Sequence, residues 1–588
     1  MRVLLINPPD VDASLFDYDT AKRGRANNYP AYGLGVLATH LLKNGHECHI
    51  LNLNHELLKV VAASRAPIEY DKEWRTILEQ GIEDFKPELV GVTCLFSVTG
   101  TSLKNVCKAV REITPVPICI GGVHVTHDVD AIMADIPEAD YAFLNESEKA
   151  FIDFLNTGKL SQVVTRNGKF LEKNMPDDLN IIPPFAMMDV ENHSLYGTLG
   201  SWYGFRYEDT RIATALSNRG CRAHCSFCNV RSFNGEGVRQ RSIESVLDEL
   251  QILKDRGVGH IIWLDDDLLM REERAIALFN GMVKRNLNMT WDATNGVIAA
   301  SLREEVVAAA AASGCIGLAL GIESGNADIL RSIKKPGTPR IFRRAAETLR
   351  GFPQINIRAL LIIGFPNETM GQIMDTINLC EEMNLDWHNI AILQPWKNTP
   401  IYDAMVDQGL LGEEGKLKGD VSPYQLGPYS RQRAVEQGKI QQSHYGEKQG
   451  GSGIFRFADP SRVPKTQELD DIWFYMNVRL NFERLFHEKR AVKLEQQLTW
   501  LRYVSTKTAP DNALILYFYA YLQWRVLGMI DESLVETVSL RLKDSDYWKD
   551  KFAMFGLSAA DVRDAEFPTT LFHETIKWPK ELVAVESV

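Results

Sequence analysis

The chain lacks the features of a secreted, membrane-spanning or nucleic-acid-binding protein. Only nine of its 588 residues are cysteine, an odd number, which favours a reducing compartment such as the cytoplasm over a disulfide framework. No stretch reaches the roughly 18 apolar residues that predict a transmembrane helix. The start, Met1–Asn7, is typical of a β-strand and not of a signal peptide. The protein has a net charge of −12, so nucleic acid is not an expected partner.

Three of the nine cysteines stand close together. Cys221, Cys225 and Cys228 follow the spacing C-x₃-C-x₂-C. One loop with three thiolates can bind three irons of a [4Fe–4S] cluster and leave the fourth iron open for a substrate or cofactor. The spacing alone leaves open a zinc site that lacks one ligand. The other six are scattered and are predicted to be core residues, so we expect a single cluster: Cys48, Cys94, Cys107, Cys119, Cys315 and Cys380.

The length predicts several domains. Residues 1–158 alternate strand and helix patterns, which predicts an α/β domain with a doubly wound parallel sheet. Residues 159–205 are predicted to be a linker. Over 206–410, six predicted strands each end in a polar or glycine-containing loop, which places the chemistry at one rim of a parallel barrel. Residues 411–588 predict a polar loop followed by a mainly helical region that covers the barrel mouth.

Four further motifs follow the cysteines in order, and with them the segment resembles the radical S-adenosylmethionine (SAM) family. The resemblance implies a partial (β/α)₆ barrel of the TIM type, in which the open iron binds SAM and an electron cleaves it to a 5′-deoxyadenosyl radical. It places Phe227 near the adenine and assigns further SAM contacts to Asp265, Asp266, Asp267, Asn295, Glu323, Ser324, Gly364 and Glu368.

The loops of the first domain resemble the cobalamin-binding domain that precedes some radical SAM domains. Paired glycines let a backbone approach a large flat ligand. The first histidine is His40, so no histidine from the first loop is expected to ligate cobalt. A vestigial domain without cobalamin remains an alternative. The residues that the resemblance assigns to cobalamin are Asn7, Pro8, Ser97, Gly121, Gly122, His124, Asn145 and Glu146.

Together these resemblances imply a cobalamin-dependent radical SAM methyltransferase that acts on an unactivated carbon. One SAM would remethylate the cobalamin and a second would supply the radical. Two alternatives stay open: a radical cyclisation or rearrangement without methyl transfer, and a non-catalytic cobalamin or redox sensor. The expected partners are a small-molecule, lipid or peptide substrate and an electron donor such as flavodoxin or ferredoxin.

Overall fold

The computed structural model describes residues 1–200, 210–411, 459–464 and 466–571. The predicted polar loop at 411–460 lies almost entirely outside these ranges. The described residues form a seven-stranded sheet, a six-stranded sheet and a helical region. Within those ranges, none of the helices combines the length and the apolar character that crossing a membrane requires.

The first sheet confirms the predicted doubly wound domain. Its spatial order is β2-β1-β3-β4-β5-β6-β7, and its first five strands are parallel. The chain reverses its direction across the sheet between β1 and β3, and open sheets of this kind bind ligands at that switch point, beyond the carboxyl ends of the strands. The strands are β1 (Arg2–Asn7), β2 (Glu47–Asn52), β3 (Leu89–Thr93), β4 (Ile118–Gly121), β5 (Tyr141–Phe143), β6 (Val163–Thr165) and β7 (Gly168–Phe170).

Alternate residues of β1 face opposite sides of this sheet. Val3 and Leu5 join a core that continues into the barrel, whereas Leu4 and Ile6 pack under the helices of the other face. The two domains are therefore built on one continuous apolar core. The helices of the first domain are Tyr18–Lys22, Tyr32–Lys43, Leu53–Ala63, Tyr70–Phe85, Gly100–Ile113, Val123–His127, Val129–Asp135 and Glu148–Thr157.

The sheet continues past residue 158 into the segment that was predicted to be a linker. Strands β6 and β7 form an antiparallel hairpin, and β6 pairs with β5. The sequence signal is Asn167-Gly168, a turn dipeptide after the β-branched run Val163–Thr165. Further along, Phe185, Met188 and Val190 are buried in the shared core. The segment thus joins the two domains by packing as well as by connectivity.

The second sheet confirms the six predicted parallel strands. Its order, β15-β14-β13-β12-β11-β8, follows the chain, as in a partial (β/α)₆ barrel. The strands are β8 (Arg211–Ala215), β11 (Val258–Trp263), β12 (Thr290–Val297), β13 (Cys315–Glu323), β14 (Asn356–Ile363) and β15 (Trp387–Ile392), and the short pair β9 (Asn218–Arg219) and β10 (Arg239–Gln240) forms a separate hairpin. The helices are Val230–Asn234, Ile243–Asp255, Glu272–Lys284, Glu304–Ala312, Ala327–Ser332, Pro339–Arg350, Met370–Met383 and Pro400–Asp407.

The helical region packs mainly against the edge and the lower end of the barrel. The Trp473 indole donates to the carbonyl of Ile390 on β15 (2.9 Å), and the Lys493 ammonium donates to the carbonyl of Ile355 just before β14 (2.6 Å). Leu469 approaches the rim near Gly364. Whether the C-terminal region covers the barrel mouth stays a prediction; the aromatic periodicity reports burial but not the surface that provides it. The helices are Thr466–Asn477, Arg484–His487, Ala491–Tyr503, Ala513–Leu527, Glu532–Asp544, Asp546–Met554 and Ala559–Arg563, with π-helical turns at Val478–Glu483 and Val504–Thr508.

Candidate active site

The cysteine loop begins just after β8, at the carboxyl rim of the barrel. Gly220 has φ +88°, and a Cβ there would lie 2.4 Å from the carbonyl oxygen of Gly237, so only glycine fits this turn. The backbone of Ser226 donates to Ile333 (2.9 Å) and accepts from Ile401 (3.0 Å). The loop is thereby tied to segments that follow β13 and β15.

The three cysteines of the loop differ from the other six. Cys221 and Cys225 are half-buried and Cys228 is exposed, while the remaining cysteines are all buried. Burial raises the pKa of the Cys221 thiol to about 11 and that of Cys225 to about 12, and each thiol also feels the charge of Cys228. The pKa of each thiol is thus raised in the absence of a metal, and a bound metal would favour the thiolate forms.

A cluster fits these donors better than zinc does. A structural zinc ion needs four donors. In the described ranges, no group of three or more His, Cys, Asp or Glu side chains is placed to hold a single metal ion. A [4Fe–4S] cluster takes its ligands from thiolates, and a loop with three of them leaves one iron open.

The three aspartates after β11 have three different surroundings. Asp265 is buried and accepts from the Ser217 backbone (2.9 Å), and Asp267 pairs with Arg222 (2.9 Å). Asp266 accepts from Asn234 (3.2 Å), and burial, followed by the charge of Asp265, raises its pKa to about 7. Asp265 and Asp267 thus fix the cysteine loop, and Asp266 is the member of the run that is least engaged by the protein.

This division leads to a matched pair of variants within one acidic run. Asp266→Asn is expected to keep the fold and the cluster but to weaken SAM binding by about 1–3 kcal/mol, the range for a lost partner of a charged group. Asp265→Asn should instead lower the free energy of unfolding by a similar amount, because its partners lie in the loop. Calorimetry with SAM and thermal unfolding distinguish the two effects, and unchanged SAM affinity in Asp266→Asn would assign that carboxylate to the fold.

A cation that the sequence motifs did not single out lies beside the thiols. The Lys335 ammonium is 2.7 Å from the Glu323 carboxylate, and Glu323 has φ +63° at the end of β13. Burial lowers the pKa of Lys335, but Glu323 and the thiols of Cys225 and Cys228 outweigh burial and raise it. Glu323 is therefore held by a lysine twelve positions later, and that pair borders the space in front of the cysteines.

Of the residues expected near the adenine, some lie close together and others do not. The rings of Phe227 and Phe365 lie 6.0 Å apart and form one apolar cluster. Glu368, by contrast, turns inward: it is buried and accepts from the backbone of Gly364 (2.7 Å), and burial raises its pKa to about 8. Glu368 thus shapes the loop through Oε2, while its buried Oε1 has no hydrogen-bond partner among the described residues.

Two further SAM candidates have local roles. Ser324 is fully buried, and its hydroxyl lies 3.3 Å from that of Thr376. Asn295 is exposed within β12, and it donates to the carbonyl of Leu264 (2.8 Å). Of these two candidates, only Asn295 has an exposed side chain.

The carboxyl edge of the first sheet forms the second part of the site. Asn7 donates to Asn52 (3.0 Å), and Pro8 after it is buried. Ser97 begins a short 3₁₀ turn, and the exposed Leu95 precedes it at the end of β3. These loops flank the switch point between β1 and β3, where a flat ligand has access to the backbone.

The glycine pair after β4 is held against the neighbouring loop. A Cβ on Gly121 would make an ordinary contact, 3.5 Å from the Phe143 carbonyl, but one on Gly122 would lie 2.4 Å from the carbonyl of Cys94. His124 follows in the helix Val123–His127, and burial lowers its pKa. The glycines thus allow two loops of this edge to approach each other.

Asn145 and Glu146, two of the predicted cobalamin contacts, also bond to residues of the second domain. The Asn145 amide donates to the carbonyls of Ser232 and Phe233 (both 2.9 Å). Glu146 is buried, pairs with Arg219 (2.5 Å) and also contacts Arg239. Since these partners flank the cysteine loop, the carboxyl edges of the two sheets meet here. The sequence signal for this contact is the pair of arginines on β9 and β10.

Known proteins share this organisation. Residues 23–155 match the B12 binding domain and residues 216–380 match the Radical SAM superfamily. An uncharacterized methyltransferase, PH0819, of Pyrococcus horikoshii is 26% identical over 70% of this chain and 84% of its own length. The cytidylyl-2-hydroxyethylphosphonate methyltransferase of Streptomyces wedmorensis is 25% identical over 71% of this chain and 84% of its own.

Among solved structures, the fold is similar to that of TsrM from Kitasatospora setae, a radical S-adenosylmethionine methyltransferase with cobalamin and a [4Fe-4S] cluster bound. The TM-score is 0.54 at 18% identity, over 70% of this chain and 78% of that one. The two matched segments thus combine a B12-binding domain with a radical SAM domain in one chain, in that order.

Proposed function

We propose that this protein is a cobalamin-dependent radical SAM methyltransferase that acts on an unactivated carbon. One observation carries the proposal: the carboxyl edges of the two sheets meet, through Asn145 with Ser232 and through Glu146 with Arg219. Ligands of both folds bind at such edges. Two cofactors bound there would share one crevice, as methyl transfer requires.

The residues have separate tasks in this proposal. Cys221, Cys225 and Cys228 would hold the cluster, and Asp266 would receive the SAM ammonium. Phe227 with Phe365 offers an apolar surface to the adenine. When bound, the cluster with SAM supplies the radical and cobalamin supplies the methyl group, while the protein fixes geometry and excludes water.

The partners follow from the same chemistry. We expect an organic substrate, whether a small molecule, a lipid or a peptide, because the crevice between the domains has to admit a carbon centre. The cluster needs a one-electron donor such as flavodoxin or ferredoxin. A reducing compartment such as the cytoplasm suits an oxygen-sensitive cluster.

Product analysis tests the proposal without a known substrate. Anaerobically reconstituted and reduced protein should convert SAM to 5′-deoxyadenosine, and it should form S-adenosylhomocysteine only when cobalamin is supplied. Cys221→Ala, Cys225→Ala and Cys228→Ala should each abolish 5′-deoxyadenosine formation, whereas Cys315→Ala, a buried cysteine on β13, serves as the control. 5′-Deoxyadenosine without S-adenosylhomocysteine at any cobalamin concentration would favour cyclisation or rearrangement.

A further inference from the structure

A cavity of about 420 Å³ lies against the outside of the cysteine loop. One wall is Arg222–His224, the stretch between the first two cysteines, and the other is the segment that follows β13. Among its lining residues are Arg222, His224, Arg331, Lys334 and Lys335, and this lining contains no carboxylate. The cavity is thus basic, although the protein as a whole is acidic.

The basic character continues along the chain beyond the cavity. Between Ile329 and Ala346 there is no Asp or Glu, in a protein with 77 acidic and 65 basic residues. The six cations of this basic segment are Arg331, Lys334, Lys335, Arg340, Arg343 and Arg344.

Three of the six cations form ion pairs with carboxylates of the described residues, and three do not. Arg331 contacts Asp328, Lys335 contacts Glu323 and Arg343 contacts Glu382. The other three are exposed and form no ion pair within the described ranges: Lys334, Arg340 and Arg344. Arg340 and Arg344 are four apart on one helix, so they share a face just beyond the cavity wall. These three side chains leave a positive surface open to solvent.

We propose that this surface, made of the cavity and the basic segment Ile329–Ala346, docks a small acidic one-electron carrier that reduces the cluster. The inference rests on the proposed function, because it needs the cluster in the cysteine loop. One electron passes from the reduced carrier to the cluster; the carrier is oxidised by one electron, the cluster is reduced by one, and no bond or proton is exchanged.

The position of this surface and its charge both favour an acidic electron carrier as its partner. Ala223 and His224 stand between two cluster ligands and also line the cavity, so a carrier seated there approaches the cluster from outside the crevice between the sheets. Electron-transfer contacts are small and weak, and charge complementarity sets their association rate. A basic surface on an acidic protein attracts an acidic partner to this one place.

Charge reversal tests the docking surface in the reconstituted full-length protein. In Lys334→Glu/Arg340→Glu, reduction of the cluster by reduced flavodoxin, followed by stopped-flow absorbance at low salt, should slow at least tenfold. Reduction by dithionite, which needs no docking protein, should stay within twofold of wild type. The matched control, Lys108→Glu/Lys173→Glu, changes the charge equally at two exposed sites outside the basic segment, one in the first domain and one just after β7, and should keep the wild-type rate.

Three outcomes would overturn the proposal. In the first, the cluster of Lys334→Glu/Arg340→Glu is reduced at the wild-type rate both by flavodoxin and by ferredoxin. Another is an equal slowing with dithionite, which would indicate damage to the cluster site. The third is loss of inorganic phosphate binding in that variant with normal reduction by the carrier, which would make the cavity a small-anion site. If wild-type protein binds no cluster, the proposed function itself fails, and dithionite titration shows that directly.

Discussion

The Arg219→Met variant is expected to lose about 3–5 kcal/mol of stability, the range for breaking a buried ion pair by removing one partner. Arg219 contacts both Glu146 (2.5 Å) and Glu148 (2.7 Å), and both glutamates are buried. Without the guanidinium, Glu148 loses its ion-pair partner and Glu146 keeps only Arg239. Denaturant unfolding of the variant and of wild type measures this loss.

Arg219→Met should also affect cobalamin methylation and SAM cleavage to different extents. The Arg219 contacts hold the edge of the B12-binding domain against the cysteine loop. If these contacts are loosened, the distance between the two cofactor sites changes, whereas the structure of each site changes less. We expect S-adenosylhomocysteine formation with cobalamin to fall at least tenfold, whereas 5′-deoxyadenosine formation should fall much less. Equal losses in both products would mean that Arg219 supports the cysteine loop alone.

An exposed arginine provides the control for this effect. Arg75 pairs with Glu112 at 3.1 Å, but both side chains are more than a third exposed. Exposed pairs contribute at most about 1 kcal/mol. Arg75→Met should therefore change neither unfolding nor the product ratio. Arg219→Lys keeps the charge but not the forked geometry, and it should recover part of the lost stability.

The sequence predicted the arrangement of strands well, because hydrophobic runs that end in polar loops report burial and chain direction. It also predicted where the cysteine loop lies, since Gly220 and the cysteine spacing are local features. Each of these signals lies within a short stretch of chain. Hence the two sheets and the loop at the barrel rim could be predicted without any tertiary contact.

The roles of individual acids could not be predicted, because partners far along the chain decide them. Asp265, Asp266 and Asp267 look alike in sequence, yet Ser217 and Arg222 engage two of them. The lysine that holds Glu323 and the arginines that hold Glu146 stand outside the motifs. A motif gives the place of a side chain along the strand end, while the fold decides whether it faces a ligand or the protein.

Gly122→Ala is expected to destabilise the first domain and to abolish cobalamin binding. The new Cβ would lie 2.4 Å from the carbonyl oxygen of Cys94 and 2.8 Å from its carbon, both rigid backbone atoms. Gly122 also has φ +112°, which an L-residue rarely adopts. Overpacking and the backbone conformation together cost about 2–5 kcal/mol. The clash is therefore with the chain itself, and a bulky residue here would disturb the domain before it meets any ligand.

Gly121→Ala is the matched variant that separates the fold from the ligand. Its Cβ would make ordinary contacts with Phe143, 3.5 Å from the carbonyl oxygen and 3.9 Å from the Cβ, so thermal unfolding should stay at the wild-type temperature. If the backbone after β4 has to approach cobalamin closely, absorbance titration should nevertheless show weakened binding, while 5′-deoxyadenosine formation persists in the other domain. If Gly121→Ala binds cobalamin with wild-type affinity, the end of β4 is not part of the cobalamin site. If Gly122→Ala has wild-type stability, the loop that contains Cys94 can move to accept the new Cβ without a loss of stability.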